Sequence, residues 1–365
     1  MVIKMEEINL RDPKFYTNRE LSWILFDNRV LSEARDKNIP LFERLKFLSI
    51  TASNLDEFFM IRVASLMDMV HAGYGKRDIA GMTAQEQLKA LDIAIHKLVD
   101  LQYSTYNRSL LPLLESNNLH VIRQHEELNE KEADYLDKYF EENIYPVLTP
   151  MAVDSSRPFP LIRNKSLNIG ALLQKKGDKD EILEFATVQV PSVLNRIVEL
   201  PKEGKMRKVI LLEEVIERNI RKLFLNYDVI CAHPFRIMRN ADLTIDEDEA
   251  EDLLKEIEKQ IKKRQWGEAI RLEVENGMDK RLLKILVKEL GIEERNIYKI
   301  DGPLDLTFLM KMYGLEGFEH LKAPKYEPQQ VPELPNGCNL FTEIRKGDIL
   351  LHHPYETFTP VVEFI

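Results

Sequence analysis

Histidines are the side chains of this sequence best suited to nucleophilic chemistry, and its eight histidines are scattered along the chain. His320 begins a His-x-Lys run, His320-Leu321-Lys322, at the edge of a Pro-rich stretch. His352 and His353 stand side by side, and neighbouring side chains on an extended segment point to opposite faces. His233 stands beside Pro234 and near Arg236 and Arg239, where it could meet phosphate, but it is interpreted as support for a turn. None of these residues forms a recognisable pair with a base or a metal-binding partner in the sequence.

Cysteine and glycine patterns point to no further chemistry. Cys231 and Cys338 are far apart and match no metal-binding or redox spacing, which suits a reducing compartment. The 14 glycines are scattered and form neither a Walker loop nor a Gly-rich nucleotide loop. The sequence therefore predicts no metal site and no phosphate-binding loop.

The stretch from Leu41 to Val63 combines apolar residues at helical spacing with a polar centre. It predicts two helices with a break between them. Asn54, followed three residues later by Glu57, fits a capping box at the start of the second helix.

The chain as a whole is predicted to be α plus α/β and multidomain. Residues 1–117 indicate a helical bundle, in which Thr83 begins a long helix. Residues 118–322 indicate a mixed α/β domain, and residues 323–365 a Pro-rich linker followed by the beginning of another domain that ends in an apolar, helix-like run. The predicted strands of the middle domain are Leu167–Leu173, Phe185–Val190, Val209–Leu212, Asp228–Ala232, Ile270–Val274 and 296–300.

Helices of the middle domain are predicted from their termini. Asn129 with Glu132 opens one helix, and residues 279–290 with Gly291 beyond them form another. An acidic run from Asp246 begins a third, and Pro303 opens a fourth.

Composition excludes several classes of protein. The 365 residues are 44% hydrophobic and 31% charged, as in ordinary globular proteins. No apolar run approaches the roughly 18 to 20 residues that span a bilayer, and the start has no signal-peptide pattern. We therefore expect a cytoplasmic protein. A net charge of −10 argues against nucleic acid as a partner.

Several runs of this sequence resemble the signatures of the large bacterial polyphosphate kinases. The resemblance covers the chain from about Phe15 to Ile365. The runs that carry it are Leu21-Ser22-Trp23, Asn28-Arg29-Val30-Leu31, Asn54-Leu55-Asp56-Glu57-Phe58, Tyr145-Pro146-Val147-Leu148-Thr149-Pro150, Arg157-Pro158-Phe159-Pro160, Asn164-Lys165-Ser166-Leu167, Phe235-Arg236-Ile237-Met238-Arg239-Asn240-Ala241-Asp242-Leu243, Arg271-Leu272-Glu273, Gly302-Pro303-Leu304-Asp305-Leu306 and His352-His353-Pro354-Tyr355-Glu356.

The resemblance implies an enzyme that moves the terminal phosphate of ATP reversibly onto linear polyphosphate through a phosphohistidine. It implies that the first domain roofs the nucleotide pocket and that Asn54 approaches the adenine, where a carboxamide offers both an acceptor and donors. The implied cofactors are ATP or ADP and Mg²⁺, with the metal ligands outside this chain. The middle domain is implied to form a homo-oligomer, a dimer or a tetramer, and to line the polyphosphate path, and association with a membrane surface is compatible with it.

Polyphosphate is a polyanion, so an acidic chain must bind it through local basic residues. The candidates for phosphate contact are Arg157, Arg163, Lys165, Arg236 and Arg239, followed by the cluster Lys262, Lys263 and Arg264. The basic cluster has an alternative interpretation, because it lies at the carboxyl end of the predicted acidic-start helix, where the helix dipole favours cations.

The catalytic histidine implied by the family lies in two later domains that resemble phospholipase D, and residues 323–365 are expected to be only the start of the first. His320 lies upstream of that position and matches it poorly. We therefore expect no catalytic residue in this chain and no phosphate transfer by these 365 residues alone. The alternative is a non-enzymatic module for dimerisation or polyanion binding.

Overall fold

The computed structural model describes residues 9–153, 159–177, 182–202, 204–241, 267–335 and 337–365. The chain forms two compact units, Met1–Leu321 and Lys322–Ile365. The predicted boundary after residue 322 lies one residue beyond this division. The predicted boundary after residue 117 falls inside the first unit, where helices and sheets share a hydrophobic core.

Helices form the first part of this unit, as predicted. They are α1 (Arg19–Arg35), α2 (Leu41–Phe58), α3 (Ala64–His71), α4 (Ala84–Thr105) and α5 (Leu111–Ser116). π-Helical segments, Phe59–Val63 and Tyr106–Leu110, join α2 to α3 and α4 to α5. Thr83 caps α4 as predicted, in a capping box with Glu86.

The predicted break at Asn54 is wrong, because α2 continues through that residue. The Asn54 side chain does not cap a helix, and its Nδ2 donates to Oδ1 of Asp27 on α1 at 3.0 Å. Leu48, Leu55 and Phe58 are buried on the surrounding turns. Burial of this apolar stripe stabilises a continuous helix and outweighs the local capping preference of asparagine.

Two sheets follow the helices. Their strands are β1 (Leu119–Ile122), β2 (Pro150–Val153), β3 (Leu167–Lys175), β4 (Leu183–Gln189), β5 (Ile197–Glu199), β6 (Arg207–Leu211), β7 (Tyr227–Arg239), β8 (Ala269–Glu275) and β9 (Ile297–Ile300). The smaller sheet has the order β1-β6-β5, and the larger has the order β2-β4-β3-β7-β8-β9. The pairs β1–β6 and β8–β9 are parallel, and the other pairs are antiparallel. All six predicted strands are therefore present.

Strand β7 is longer than predicted, because β3 pairs with it from Tyr227 to Arg236 and β8 pairs with it from Phe235 to Arg239. Its side chains alternate between faces. Phe235 and Ile237 join a core that includes α8 (Lys280–Leu290), while Met238 joins the core shared with the helical region. Arg236, between them, therefore points towards the helices.

The remaining helices of the first unit are α6 (Glu130–Tyr139), α7 (Leu212–Arg218) and α9 (Leu309–Met312). Asn129 and Glu132 form the predicted capping box on α6, and Gly291 ends α8 in the left-handed conformation at φ +65°. The helix expected at Pro303 starts only at Leu309, after a 3-10 turn that Asp305 caps. The predicted acidic-start helix lies outside the described residues.

The second unit contains α10 (Leu340–Ile344) and α11 (Thr359–Phe364). Helix α11 confirms the helix-like run predicted at the end of the sequence. A bridge between Gln329 and Glu356 joins two otherwise extended segments. In the parts of both units that the structure describes, no helix is both long enough and apolar enough to cross a membrane.

Candidate functional site

A buried ion pair joins the helical region to the larger sheet. Arg236 on β7 is 2% exposed, and its Nη1 lies 3.1 Å from Oδ1 of Asp56 on α2. Its Nη2 donates to the other Asp56 oxygen, so that the pairing is bidentate. Burial alone would lower the pKa of Arg236, but the carboxylates of Asp56, Asp305 and Glu273 raise it well above its usual range. Arg236 therefore stays charged inside the protein.

The charges continue along the neighbouring strand. Glu273 on β8 pairs with Arg236 in the strand register, and its Oε2 accepts from Arg236 Nη1 at 3.0 Å. Its Oε1 lies 2.7 Å from Nη2 of Arg271. The Arg271 guanidinium lies over the rings of Phe59, at 4.6 Å, and Tyr298, at 4.3 Å. These cation–π contacts extend the network to the π-helical segment after α2.

A second arginine, the half-buried Arg196, lies at the other side of this network. Arg196 Nη2 lies 2.6 Å from Glu213 Oε1 on α7, and Nη1 donates to the Asp305 carbonyl at 2.8 Å. Burial would raise the pKa of Asp305, but Arg236 and Arg196 lower it to about 2. Arg236 and Arg196 thus both contact Asp305 and fix the loop that contains it.

A cleft of about 410 Å³ opens beside these ion pairs. Among the residues that line it are three exposed cations, Arg163, Lys165 and Lys311, together with Arg196 and Asp305. We call it the basic cleft. Lys165 Nζ lies 3.4 Å from Asp56 Oδ2, whereas the Arg163 and Lys311 side chains form no hydrogen bond or ion pair with any described residue. The basic cleft therefore offers positive charge to an anion.

Backbone contacts hold the loop that carries Arg163 and Lys165. Lys165 has a positive φ of 61°, an uncommon conformation for a residue with a side chain. Its N–H donates to the Ile237 carbonyl at 2.9 Å, and Asn164 Oδ1 accepts from the Arg239 N–H at 2.9 Å. Strand β7 thereby fixes the loop at the edge of the cleft.

The other predicted phosphate contacts lie elsewhere. Arg236 is buried in the network, and Arg239 is buried with its guanidinium donating to the carbonyls of Ile162 and Gly267. Burial lowers the pKa of Arg239. Both arginines donate to protein groups, so their contact with phosphate stays a prediction that the geometry does not favour. Arg157 and the cluster Lys262, Lys263 and Arg264 lie outside the described residues.

Asn54 does not line the basic cleft. It is half-buried, and Asp27, its partner on α1, is 0% exposed. The Asn54 amide nitrogen donates to Asp27, which leaves its amide oxygen to other partners. Asp27 Oδ2 is buried and accepts from no described residue, and burial raises the pKa of Asp27 to about 7. This pairing could not be predicted from the sequence, because Asp27 and Asn54 lie on different helices.

All eight histidines are described, and those of the first unit do not line the basic cleft. His320 is exposed at the end of the first unit, and His352 and His353 are exposed in the second. The interpretation of His233 as turn support is wrong, because it lies within β7. Its Nδ1 lies 2.7 Å from Glu275 Oε2, and Glu217 lies close to both. These three could hold a metal ion, a grouping that their distant positions in the sequence concealed.

We predict that Arg236→Met lowers the free energy of unfolding by about 3–5 kcal/mol, because it leaves Asp56 buried without its bidentate partner. Urea denaturation measures this change. Adding Asp56→Leu should restore part of the loss, since both buried charges are then gone. Arg163→Met, at an exposed position, should change stability by less than about 0.5 kcal/mol. Equal losses for the two single variants would contradict the importance of the buried pair.

We predict that Asp27 makes stability fall as the pH rises. Its folded pKa, about 7, lies above the ordinary value, so the folded protein binds this proton more tightly than the unfolded chain. The resulting stabilisation is complete below about pH 4 and is lost as the pH rises through 7. Asp27→Asn keeps an oxygen for Asn54 and should raise the free energy of unfolding at pH 8 by about 1–3 kcal/mol.

The matched control for that experiment is Asp134→Asn, at an exposed position on α6. It should leave the difference in stability between pH 5 and pH 8 unchanged. A profile of Asp27→Asn parallel to that of the unmodified protein would show that Asp27 does not titrate as its burial implies.

The sequence matches two family models, described as polyphosphate kinase N-terminal domain over residues 16–122 and polyphosphate kinase middle domain over residues 131–312. It is 49% identical over 363 residues to a polyphosphate kinase of Halalkalibacterium halodurans, which covers 98% of this chain and 51% of that protein. It is 47% identical over 364 residues to a polyphosphate kinase of Bacillus anthracis, covering 98% of this chain and 52% of that one.

The fold is similar to a solved structure as well. The crystal structure of polyphosphate kinase from Porphyromonas gingivalis superposes with a TM-score of 0.78 at 26% identity, over 95% of this chain and 48% of that one. This chain therefore spans about half the length of the relatives it matches. Two domain models of one family, together with relatives of that family along nearly the whole chain, identify the chain as a member of the polyphosphate kinase family.

Proposed function

We propose that this chain supplies binding domains of an enzyme that transfers the terminal phosphate of ATP reversibly onto linear polyphosphate through a phosphohistidine. The observation that carries this proposal is the similarity to polyphosphate kinases along 98% of the chain, across both the helical and the α/β regions. The basic cleft adds physical support, because it presents cations on a protein with a net charge of −10.

In this proposal the basic cleft holds part of the polyphosphate chain. Arg163 and Lys311 have no competing partner among the described residues, and Lys165 can exchange its contact with Asp56 for a phosphate. The buried ion pairs beneath them keep the negative charges of Asp56 and Asp305 neutralised. Anionic phosphates therefore meet unbalanced positive charge at the cleft surface.

Asn54 is proposed to contact the adenine of ATP or ADP. Asp27 binds its amide nitrogen, which leaves the amide oxygen as an acceptor for an exocyclic amino group of the base. Because Asn54 lies outside the basic cleft, we propose that this chain contacts the nucleotide base and polyphosphate at separate places.

Mg²⁺ is proposed to act with the nucleotide, but the carboxylates at the basic cleft do not fit it. Asp305 lines the cleft and pairs with Arg196, and the nearby carboxylates of Asp56 and Glu213 pair with Arg236 and Arg196, so they present no free oxygen cluster. We therefore assign no Mg²⁺ ligand to the cleft and propose that the ligands come from catalytic domains.

We further propose that 323–365 begins a phospholipase D-like catalytic domain and that the α/β region mediates homo-oligomerisation. The phosphate-accepting histidine is proposed to lie in later catalytic domains, as the family resemblance implies, and no histidine of the first unit lines the basic cleft. A cytoplasmic location is proposed from the two free cysteines, Cys231 and Cys338.

We predict that this chain alone binds inorganic polyphosphate, more weakly as salt is added, because exposed charges are screened. Arg163→Ala combined with Lys165→Ala should weaken binding about tenfold, equivalent to about 1.4 kcal/mol. Fluorescence anisotropy with a labelled polyphosphate measures the affinity.

The matched control is Lys138→Ala, at an exposed lysine on α6 that pairs with Glu142. Its affinity for polyphosphate should equal that of the unmodified chain. If Lys138→Ala weakens binding as much as the cleft variant does, binding is non-specific and the basic cleft is not the site.

A further inference from the structure

Three potential metal ligands converge outside the basic cleft. Glu217 belongs to the last turn of α7, His233 lies on β7, and Glu275 ends β8. One ligand atom from each lies within 4.8 Å of the other two. None of the three lines the basic cleft, and Glu275 lines a different cavity, of about 260 Å³.

The Glu217 carboxylate is the group that the protein leaves unsatisfied. It is half-buried, yet it forms no hydrogen bond or ion pair with any described residue. Burial, together with the neighbouring carboxylates of Glu214 and Glu275, raises the pKa of Glu217 to about 9. A partly buried carboxylate beside other carboxylates is costly to ionise unless a cation accompanies it.

His233 is hydrogen-bonded to one of the two carboxylates. Its Nδ1 lies 2.7 Å from Glu275 Oε2, whereas no described residue is hydrogen-bonded to the Glu217 carboxylate. A divalent cation would balance Glu217 and Glu275 together, with the imidazole bound in its neutral form.

We propose that Glu217, His233 and Glu275 form a binding site for a divalent transition-metal ion of the Zn²⁺ class. One imidazole nitrogen and two carboxylates suit Zn²⁺ or Mn²⁺, whereas Mg²⁺ and Ca²⁺ prefer ligand sets made of oxygen alone. Bound atoms lie about 2.0–2.2 Å from zinc, so the three ligand atoms, which now lie within 4.8 Å of one another, close around the ion. The ion links α7 to β7 and β8 and so stabilises the first unit.

The site is independent of the proposed phosphate transfer. Its ligands touch neither Asn54 nor the cations of the basic cleft, so a failed metal test leaves the proposed function untouched.

The test is calorimetric titration of ZnCl₂, MnCl₂ and MgCl₂ into the chelator-treated 365-residue protein, with thermal unfolding in parallel. We expect one equivalent of Zn²⁺ to bind at this site and to raise Tm by roughly 5 °C at saturation. Glu217→Gln should weaken that binding at least tenfold and abolish the rise in Tm. His233→Ala should do the same.

Glu217→Gln keeps the size of the side chain but cannot supply an anionic oxygen ligand, so it answers the question even if His233→Ala fails to fold. The matched control is His96→Ala, because His96 also pairs with a carboxylate, that of Asp92. Both residues lie on α4, which carries none of the three proposed ligands. Its Zn²⁺ affinity should be unchanged. Absence of Zn²⁺ binding, equal binding by Glu217→Gln, or tighter binding of Mg²⁺ than of Zn²⁺ would each overturn the proposal.

Discussion

The bidentate pair between Arg236 and Asp56 is the interaction on which the first unit depends. It joins a helix of the amino-terminal region to the central strand β7, and both partners are almost fully withdrawn from water. Two buried charges are stable only when each is fully paired, so the helix and the strand must meet in one register. Glu273 and Asp305 extend the same constraint to β8 and to the loop before α9.

This constraint also explains how an acidic protein can present a basic surface. The carboxylates of the network are paired with arginines, while Arg163, Lys165 and Lys311 remain at the rim of the basic cleft. Strand β7 contributes both to the buried network and to the rim of the cleft. Its Arg236 belongs to the network, while the Ile237 carbonyl and the Arg239 N–H hold the loop that contains Lys165. The same strand therefore positions both the buried ion pair and the loop with the surface cations.

Local sequence signals predicted the elements that depend on local interactions. The capping boxes at Thr83 and Asn129 and the left-handed Gly291 are confirmed, because each is decided within a few residues. Asn54 looks like a cap by the same rule, but burial of Leu55 and Phe58 keeps the helix continuous.

The charges of the site depend on distant residues, so the sequence alone did not place them. Arg236 looks like a phosphate contact until Asp56, 180 residues earlier, is seen to bind it. In the same way, His233 and Glu275 lie on strands away from the helix of Glu217, and Asp27 lies on a different helix from Asn54. Family resemblance predicted the helical region followed by the α/β region and named Arg163 and Lys165 as candidates for phosphate contact, whereas which cations are free follows from the tertiary pairing.

We propose that this chain binds and positions substrates but does not itself accept the phosphate. Transfer of labelled γ-phosphate from ATP to polyphosphate tests it most directly, with this chain compared to a chain extended to the full length of its relatives. We expect phosphate transfer by the longer chain only. Transfer by the 365 residues alone would contradict it, because one of their eight histidines would then have to be the nucleophile.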